Sequence, residues 1–282
     1  MRILIIAWIL LTLVSCSSKL SIQAISKQPA LSDSDFVLVL RQSDDFVNDG
    51  VKVGSIKSVD NGFSINCTYN EVIENLKILA RKNGANLIKI TKRLPPDSKS
   101  TCEKIYADIY RVPDLKKHEL EIEWNENRKL TWEDFKGSPA TVSAKVWFGA
   151  ASQCDIYLES NAFGLFSKPK FYTSAKFTTF LSWVKPSQKS DSLLAHEQCH
   201  FDIVELYRRK LQKQLDSSNL NFSNAQERAK EMTRQISKQY HNEQAVYDEE
   251  TRHGSNRIKQ KEWEARIAQH LKTERILYEK PL

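Results

Sequence analysis

The sequence predicts an α+β protein: a small N-terminal α/β sandwich, then a C-terminal domain in which strands give way to long helices. Three observations carry this. Between residues 35 and 113, short apolar runs alternate with turn residues around a single stretch of helical periodicity. Residues 114–119 (DLKKHE) form a polar break. Beyond residue 190 the apolar spacing changes to three and four and holds that period almost to the end. A chain of 282 residues is long enough to bury two cores. With 40% hydrophobic residues and a mean hydropathy of −0.50, it reads as a folded body and not a membrane bundle. The net charge is +7, but basic and acidic residues are interleaved on helix faces. No recognised nucleic-acid motif is present, so a nucleic-acid partner is not expected.

Taken in order, Arg2 precedes the apolar run Ile3 to Val14, about a dozen residues and too short to span a bilayer. Its end, Leu13-Val14-Ser15-Cys16, resembles a bacterial lipoprotein signal, with an ordinary secretory leader as the alternative. The resemblance implies that residues 1–16 are the signal and that Cys16 is lipidated, palmitate being one of the acyl chains. The only bilayer contact is then through that lipid, since several acyl chains on one cysteine suffice to anchor a soluble body. Ser17, with no aspartate after the cysteine, looks like sorting to the outer membrane, facing the periplasm or the cell surface. Residues 17–34, rich in Ser, Lys and Gln, read as a tether. Either leader places the mature chain where disulfides form. Cys67, Cys102, Cys154 and Cys199 then allow three full pairings. Domain membership favours Cys67 with Cys102, a loop of about 35 residues worth roughly 3–4 kcal/mol. Cys154 with Cys199 is the second pairing.

In the first domain (35–113), Phe36–Leu40, Val51–Ile56 and Gly62–Thr68 read as strands, with Asp60-Asn61-Gly62 as a turn. Tyr69–Lys82 reads as a helix capped by Asn83-Gly84. Asn86–Thr91 and Ile105–Val112 follow as strands around a Pro95-Pro96-Asp97 loop. GFSINC, the helix and the Arg81–Asn86 turn resemble small bacterial lipoprotein and envelope-stress sensor domains over about 75 residues. The domain contains no histidine and no catalytic constellation, so its expected role is structural or in binding partners.

In the second domain (120–282), Leu120–Trp124, Ala144–Phe148, Cys154–Glu159 and Lys176–Val184 read as strands. The aromatics of Leu130–Pro139 are expected to pack a short turn. Ser192, beside Asp191, is the expected cap of a helix carrying His196-Glu197-Gln198-Cys199-His200. Ser223 is expected to cap a helix over Ala225–Thr251 that ends at His253-Gly254, and Ser255–Tyr278 is the last helix.

The pattern H-E-x-x-H on a helix puts two imidazoles on one face, one turn apart, within reach of one ion. Glu197 lies about 100° round from His196, placed to take a proton from a water whose pKa zinc lowers. Two histidines are one short of a typical catalytic zinc site. His253 is the favoured third ligand because it stands at a helix end beside glycine. Asp248 is the alternative third ligand, or a carboxylate partner to a ligand, and Glu249 and Glu250 remain open. Tyr247 is close enough in sequence to donate to a developing oxyanion. Asp202 is a further carboxylate partner, or with Arg209 holds the helix in place. The bland alternative is a surface helix with unconnected histidines, and a His253 that only meets a helix dipole.

Leu130–Pro139 (L-x-W-x-D-F-x-G-x-P), Ser182-Trp183, His196–Ile203, Glu205, Arg208 or Arg209, Tyr247–Gly254, Gln260 and Trp263 follow one another in a recognisable order. On them the chain resembles the bacterial DUF922-type family of predicted secreted zinc-dependent proteases. That resemblance implies a zincin-like metallopeptidase domain with one Zn²⁺, acting on a peptide or protein in the cell envelope. Peptidoglycan cross-links are an alternative amide substrate. An edge strand before the metal helix would align an extended substrate. Cys199 departs from the pattern, which has a small residue there; it is off the ligand face, and pairs with Cys154 or stays free. The competing reading is a non-catalytic envelope lipoprotein, a binding or scaffold module with a structural or vestigial metal. It predicts a Glu197 tied up by protein groups.

Overall fold

Strands form in this chain where β-branched and aromatic residues alternate, and helices where apolar residues recur at three and four. A computed structural model describes residues 19–60, 69–94, 100, 102–139, 148–160, 169, 171–221 and 223–278. The chain divides into two units, residues 1–113 and 114–282. The α+β architecture is as read: an N-terminal β/α unit, then strands followed by three long helices.

The first unit holds β1 (Lys19–Ala24), β2 (Leu38–Leu40), β3 (Val51–Val59), α1 (Tyr69–Lys82), β4 (Leu87–Leu94) and β5 (Lys104–Arg111). The sheet order is β1-β3-β5-β4-β2; only β2 runs parallel to its neighbour, β4. Val72, Ile73, Leu76 and Ala80 line the inward face of α1 and share one buried cluster with Val53, Ile56, Ile88, Ile90, Ile105 and Ile109. Arg81 and Lys82 occupy the last turn, where cations meet the negative end of the helix dipole. Gly84 then turns the chain at φ 78°, and a Cβ there would stand 2.4 Å from the Pro29 carbonyl oxygen, so the turn requires glycine. One segment departs from the sequence reading. Lys19–Ala24 is not tether but edge strand β1, paired residue by residue with β3. Its side chains are mostly exposed, and its order comes from backbone pairing that composition does not report. The expected strand Gly62–Thr68 lies outside the described residues.

The second unit holds β6 (Glu121–Glu123), β7 (Ala150–Ala151), β8 (Cys154–Ser160), β9 (Phe171–Thr178) and β10 (Trp183–Val184). Three helices follow: α2 (Asp191–Ser217), α3 (Ala225–Thr251) and α4 (Arg257–Tyr278). Antiparallel β6-β9-β8 forms one sheet and β10-β7 a second ladder. Helix α2 buries Phe201, Ile203, Val204 and Leu211 in one core with Phe177 of the sheet, Ile236, Tyr240 and Tyr247 of α3, and Trp263 and Ile267 of α4. Phe135 stacks edge-on against Phe177, and the buried Asp134 accepts from Thr131 and Arg128, so the Leu130–Pro139 aromatics do pack a short turn.

Several boundaries are corrected. The run Lys176–Val184 is the end of β9, a turn, and β10, because the chain reverses at Thr179–Leu181 where Ser182 N–H donates back to Thr178 O. The cap of α2 is Ser190, whose hydroxyl accepts from Leu193 N–H at 3.2 Å, and not Ser192. Asn224 precedes α3, while Ser223 donates to Asn221 Oδ1 instead of capping. Most of Ala144–Phe148 lies outside the described residues. Of the two expected disulfides, Cys154 with Cys199 is corrected. Cys154 and Cys199 are both free thiols, and among the described residues no cysteine pair stands at bonding distance. Cys102 is buried and disulfide-bonded, and Cys67, its expected partner, lies outside those residues. Among the described residues no helix is long and apolar enough to cross a membrane.

Candidate metal centre

The first two donors come from α2, where the four-residue spacing sets the His196 and His200 Nε2 atoms 3.3 Å apart. The next comes from the last turn of α3. Asp248 Oδ1 lies 3.1 Å from His196 Nε2, 3.1 Å from His200 Nε2 and 3.4 Å from His253 Nδ1. His196, Asp248 and His253 offer ligand atoms all within 4.8 Å of one another. His253 reaches back to this point because the chain leaves α3 through consecutive left-handed residues: Arg252 at φ 49°, His253 at 51° and Gly254 at 80°. A Cβ on Gly254 would come within 3.0 Å of the His196 Cβ, so the turn packs directly on the ligand helix. The His253 ring stacks on Phe148, with centroids 5.6 Å apart and planes 9° from parallel.

Behind the donors lies a second layer of polar groups. Gln260 of α4 places Oε1 3.1 Å from His196 Nδ1 and 2.9 Å from the Tyr247 hydroxyl, while its Nε2 donates to Glu264 Oε1. The Tyr247 hydroxyl is also 3.2 Å from the His196 carbonyl oxygen, and its ring stacks on the His196 imidazole. Fully buried and committed to these acceptors, Tyr247 is not presented to a reacting group; the expectation of an oxyanion donor is corrected. Burial is the main cause of its strongly raised pKa. Cys199 joins the same layer: Gln260 Nε2 donates to its Sγ at 3.8 Å, and burial pushes the thiol up to about 12.

Glu197 is buried, and its Oε2 accepts from Ser152 Oγ at 2.6 Å. Asp202 does not support a ligand. It accepts from Trp124 Nε1 at 2.7 Å and Gln198 Nε2 at 2.8 Å, fastening α2 to the loop after β6. Glu205 accepts from both Arg208 and Arg209, and Arg209 donates to the Leu271 carbonyl, which ties α2 to α4. Glu250 accepts from Trp263 Nε1 at 2.7 Å and so ties α3 to α4. A polar cleft of about 490 Å³ lies further along α2, lined by residues that include Trp124, Asn125, Thr173, Glu205 and Arg208, and none of the donors borders it.

The donors fit a divalent cation for a chemical reason. Gln260 Oε1 accepts, so the His196 hydrogen is on Nδ1 and Nε2 points a lone pair at Asp248 Oδ1, itself an acceptor. Two acceptors 3.1 Å apart attract only through a shared cation, either a proton or a metal ion. The separations of 3.1–3.4 Å also suit neighbouring ligands on one ion with bonds of about 2.0–2.1 Å, and the three-donor group His196, Asp248 and His253 has its ligand atoms within 4.8 Å of one another. Without an ion, protons fill the role. Burial opposes the charge on Asp248, but hydrogen bonds from His196 and His200 outweigh it and hold the carboxyl well below the usual carboxylate range. Burial likewise lowers the His200 pKa, but the hydrogen bond to Asp248, the charges of Glu197 and Asp248 and the Gln244 side chain together outweigh it and raise the pKa.

Residues 168–254 match the family described as Bacterial protein of unknown function (DUF922). The matched segment contains His196, Glu197, His200, Asp248 and His253, so the whole donor set falls inside it. Leu130–Pro139, Gln260 and Trp263 fall outside. No curated protein and no solved structure matches the chain.

The structure thus brings together His196, His200, Asp248 and His253, and separates Asp202 from them. Sequence reasoning missed Ser152, a lone serine between strands with no motif around it, and assigned Gln260 no task although it stands in the ordered pattern.

Proposed function

We propose that the C-terminal unit is a zinc-binding module of a lipid-anchored bacterial envelope protein, with the ion joining α2 to the end of α3. The observation that supports this best is Asp248 Oδ1 lying 3.1–3.4 Å from three imidazole nitrogens. Three histidines and one carboxylate are a donor set suited to zinc. Four protein donors close a tetrahedral site, the arrangement of structural zinc rather than of catalytic zinc, which keeps a position open. The hydrogen bond from Ser152 to a buried Glu197 points the same way. The envelope location follows from the lipoprotein-like leader ending at Cys16.

A second reading, a zinc-dependent peptidase, is favoured by one specific observation. Glu197 directly follows the first donor and lies close enough to His200 to favour its protonated form. A bound zinc ion would supply Lewis acidity. Asp248 would have to withdraw from the donor set, Glu197 would accept a proton from water and return it to a leaving amine, and a peptide or peptidoglycan amide would be the substrate.

Metal analysis of the purified protein, X-ray absorption of the bound ion, and peptide hydrolysis by the wild type and by Glu197→Gln separate the two. The module reading expects about one zinc per chain with four protein donors, and no hydrolysis that the substitution abolishes. Hydrolysis lost in Glu197→Gln with zinc retained would establish the peptidase instead. Zinc on the order of 0.3 per chain or less would remove both.

A further inference from the structure

A donor imidazole binds a metal through one ring nitrogen only if the other carries the hydrogen, so whatever holds that hydrogen decides whether the site works. For His200 the buried Nδ1 makes no hydrogen bond among the described residues. For His196 there is one acceptor, Gln260 Oε1 at 3.1 Å.

The orientation of that amide is fixed by chemistry. Its nitrogen end lies 2.9 Å from Glu264 Oε1, a carboxylate that only accepts, so the nitrogen must be there and the oxygen must face His196. The same oxygen takes the Tyr247 hydroxyl at 2.9 Å, and the same nitrogen reaches the Cys199 sulfur at 3.8 Å. Gln260 is 3% exposed and His196 1%, so water does not substitute for either contact.

We propose that Gln260 is a positioning residue that sets the metal-binding tautomer of His196, which makes α4 part of the metal centre. The proposal rests on the zinc reading above. If the acceptor is removed, a buried Nδ1–H loses its partner, or the hydrogen moves to Nε2 and takes the lone pair the ion needs. Both outcomes weaken binding, and losing such a partner costs about 10- to 100-fold in metal affinity. Gln260→Met keeps the length and removes the acceptor. Gln260→Glu combined with Glu264→Gln keeps the acceptor facing His196 and exchanges the donor and carboxylate of the 2.9 Å contact behind it.

The test uses the full chain. Zinc affinity is measured by competition with a chromophoric chelator, and the ring hydrogens of His196 are followed by nitrogen-edited NMR with and without zinc. Wild type is expected to show a solvent-protected hydrogen on His196 Nδ1 in both states. Gln260→Met is expected to lose that protection and about 10- to 100-fold in affinity, and Gln260→Glu combined with Glu264→Gln to keep most of both. A protected hydrogen on Nε2 in the zinc-loaded wild type overturns the proposal, and that readout needs no variant to fold. So does a folded Gln260→Met that binds zinc as the wild type does. A wild type that binds no zinc but protects Nδ1–H removes the zinc reading, and with it the role in metal binding, while leaving the tautomer assignment in place.

Discussion

Gly254 has no side chain to offer the site, yet the site is built on it. Its φ of 80° follows two left-handed non-glycine residues, each of which costs of order 1–3 kcal/mol unless its surroundings enforce it. The enforcing contacts are local: His253 N–H donates to Asp248 O, and Asn256 N–H to Thr251 O. Gly254→Ala adds a Cβ 3.0 Å from that of His196, in a backbone conformation that alanine resists. It should destabilise the protein by about 1–3 kcal/mol and, because the strain falls on His196 and His253 together, weaken zinc binding as well. Thermal unfolding and chelator competition check the two effects. A Gly254→Ala variant with wild-type values for both would show that the turn is not tied to the ligand helix. The dipeptide His253-Gly254 was legible as a helix stop. Its second task, bringing an imidazole back over Asp248, depends on the left-handed geometry of three successive residues, which the sequence does not display.

Helices α2 and α3 are joined at the donors by charge as well as by packing, and this gives the metal-free protein a distinctive pH response. His200 has its pKa raised in the folded state, so its contribution is complete below the unfolded value of about 6.5 and fades as the pH climbs through the folded value. Asp248 has its pKa lowered, so its contribution is present above the unfolded value of about 3.9 and is lost only as the pH falls through the folded one. Chelator-treated protein should therefore unfold at the highest temperature between those unfolded values and lose stability above neutrality. Zinc reverses the trend, because it must displace protons to bind, so stabilisation by zinc should grow with pH. Unfolding scans from about pH 4.5 to 8.5, with and without zinc, check this; parallel profiles would refute the pairing. The helices themselves were plain in the sequence, and α1 and α3 begin and end where the apolar period does. Strand ends were less plain, because Lys176–Val184 is apolar throughout most of its length while the backbone turns in the middle of it.

Over the whole chain, legibility followed the distance over which residues act. The fold class came from local patterns repeated along two units. His196, Glu197 and His200 came from a spacing within one helix. His253 and Asp248 were legible as alternative third donors, but that both stand at the site and that Gln260 backs it was not, because α2, the end of α3 and α4 meet only in the folded unit and these residues carry no mutual spacing rule. Edge strand β1 was hidden in the opposite way, by a composition that looks like a tether.

The position of β1 sharpens the last prediction. Lys19 is only three residues from Cys16 and already pairs with Val59, so a lipid on Cys16 would hold the first unit close to the bilayer with little chain between them. Anchoring through that lipid should then depend on the cysteine itself. Cys16→Ser should move the protein from the membrane fraction to the soluble one, with its zinc content unchanged. Fractionation with metal analysis of each pool reads both. Retention of Cys16→Ser in the membrane would mean that attachment uses a surface of the folded units. Loss of zinc on release would mean that the metal centre depends on anchoring, which no contact among its donors suggests.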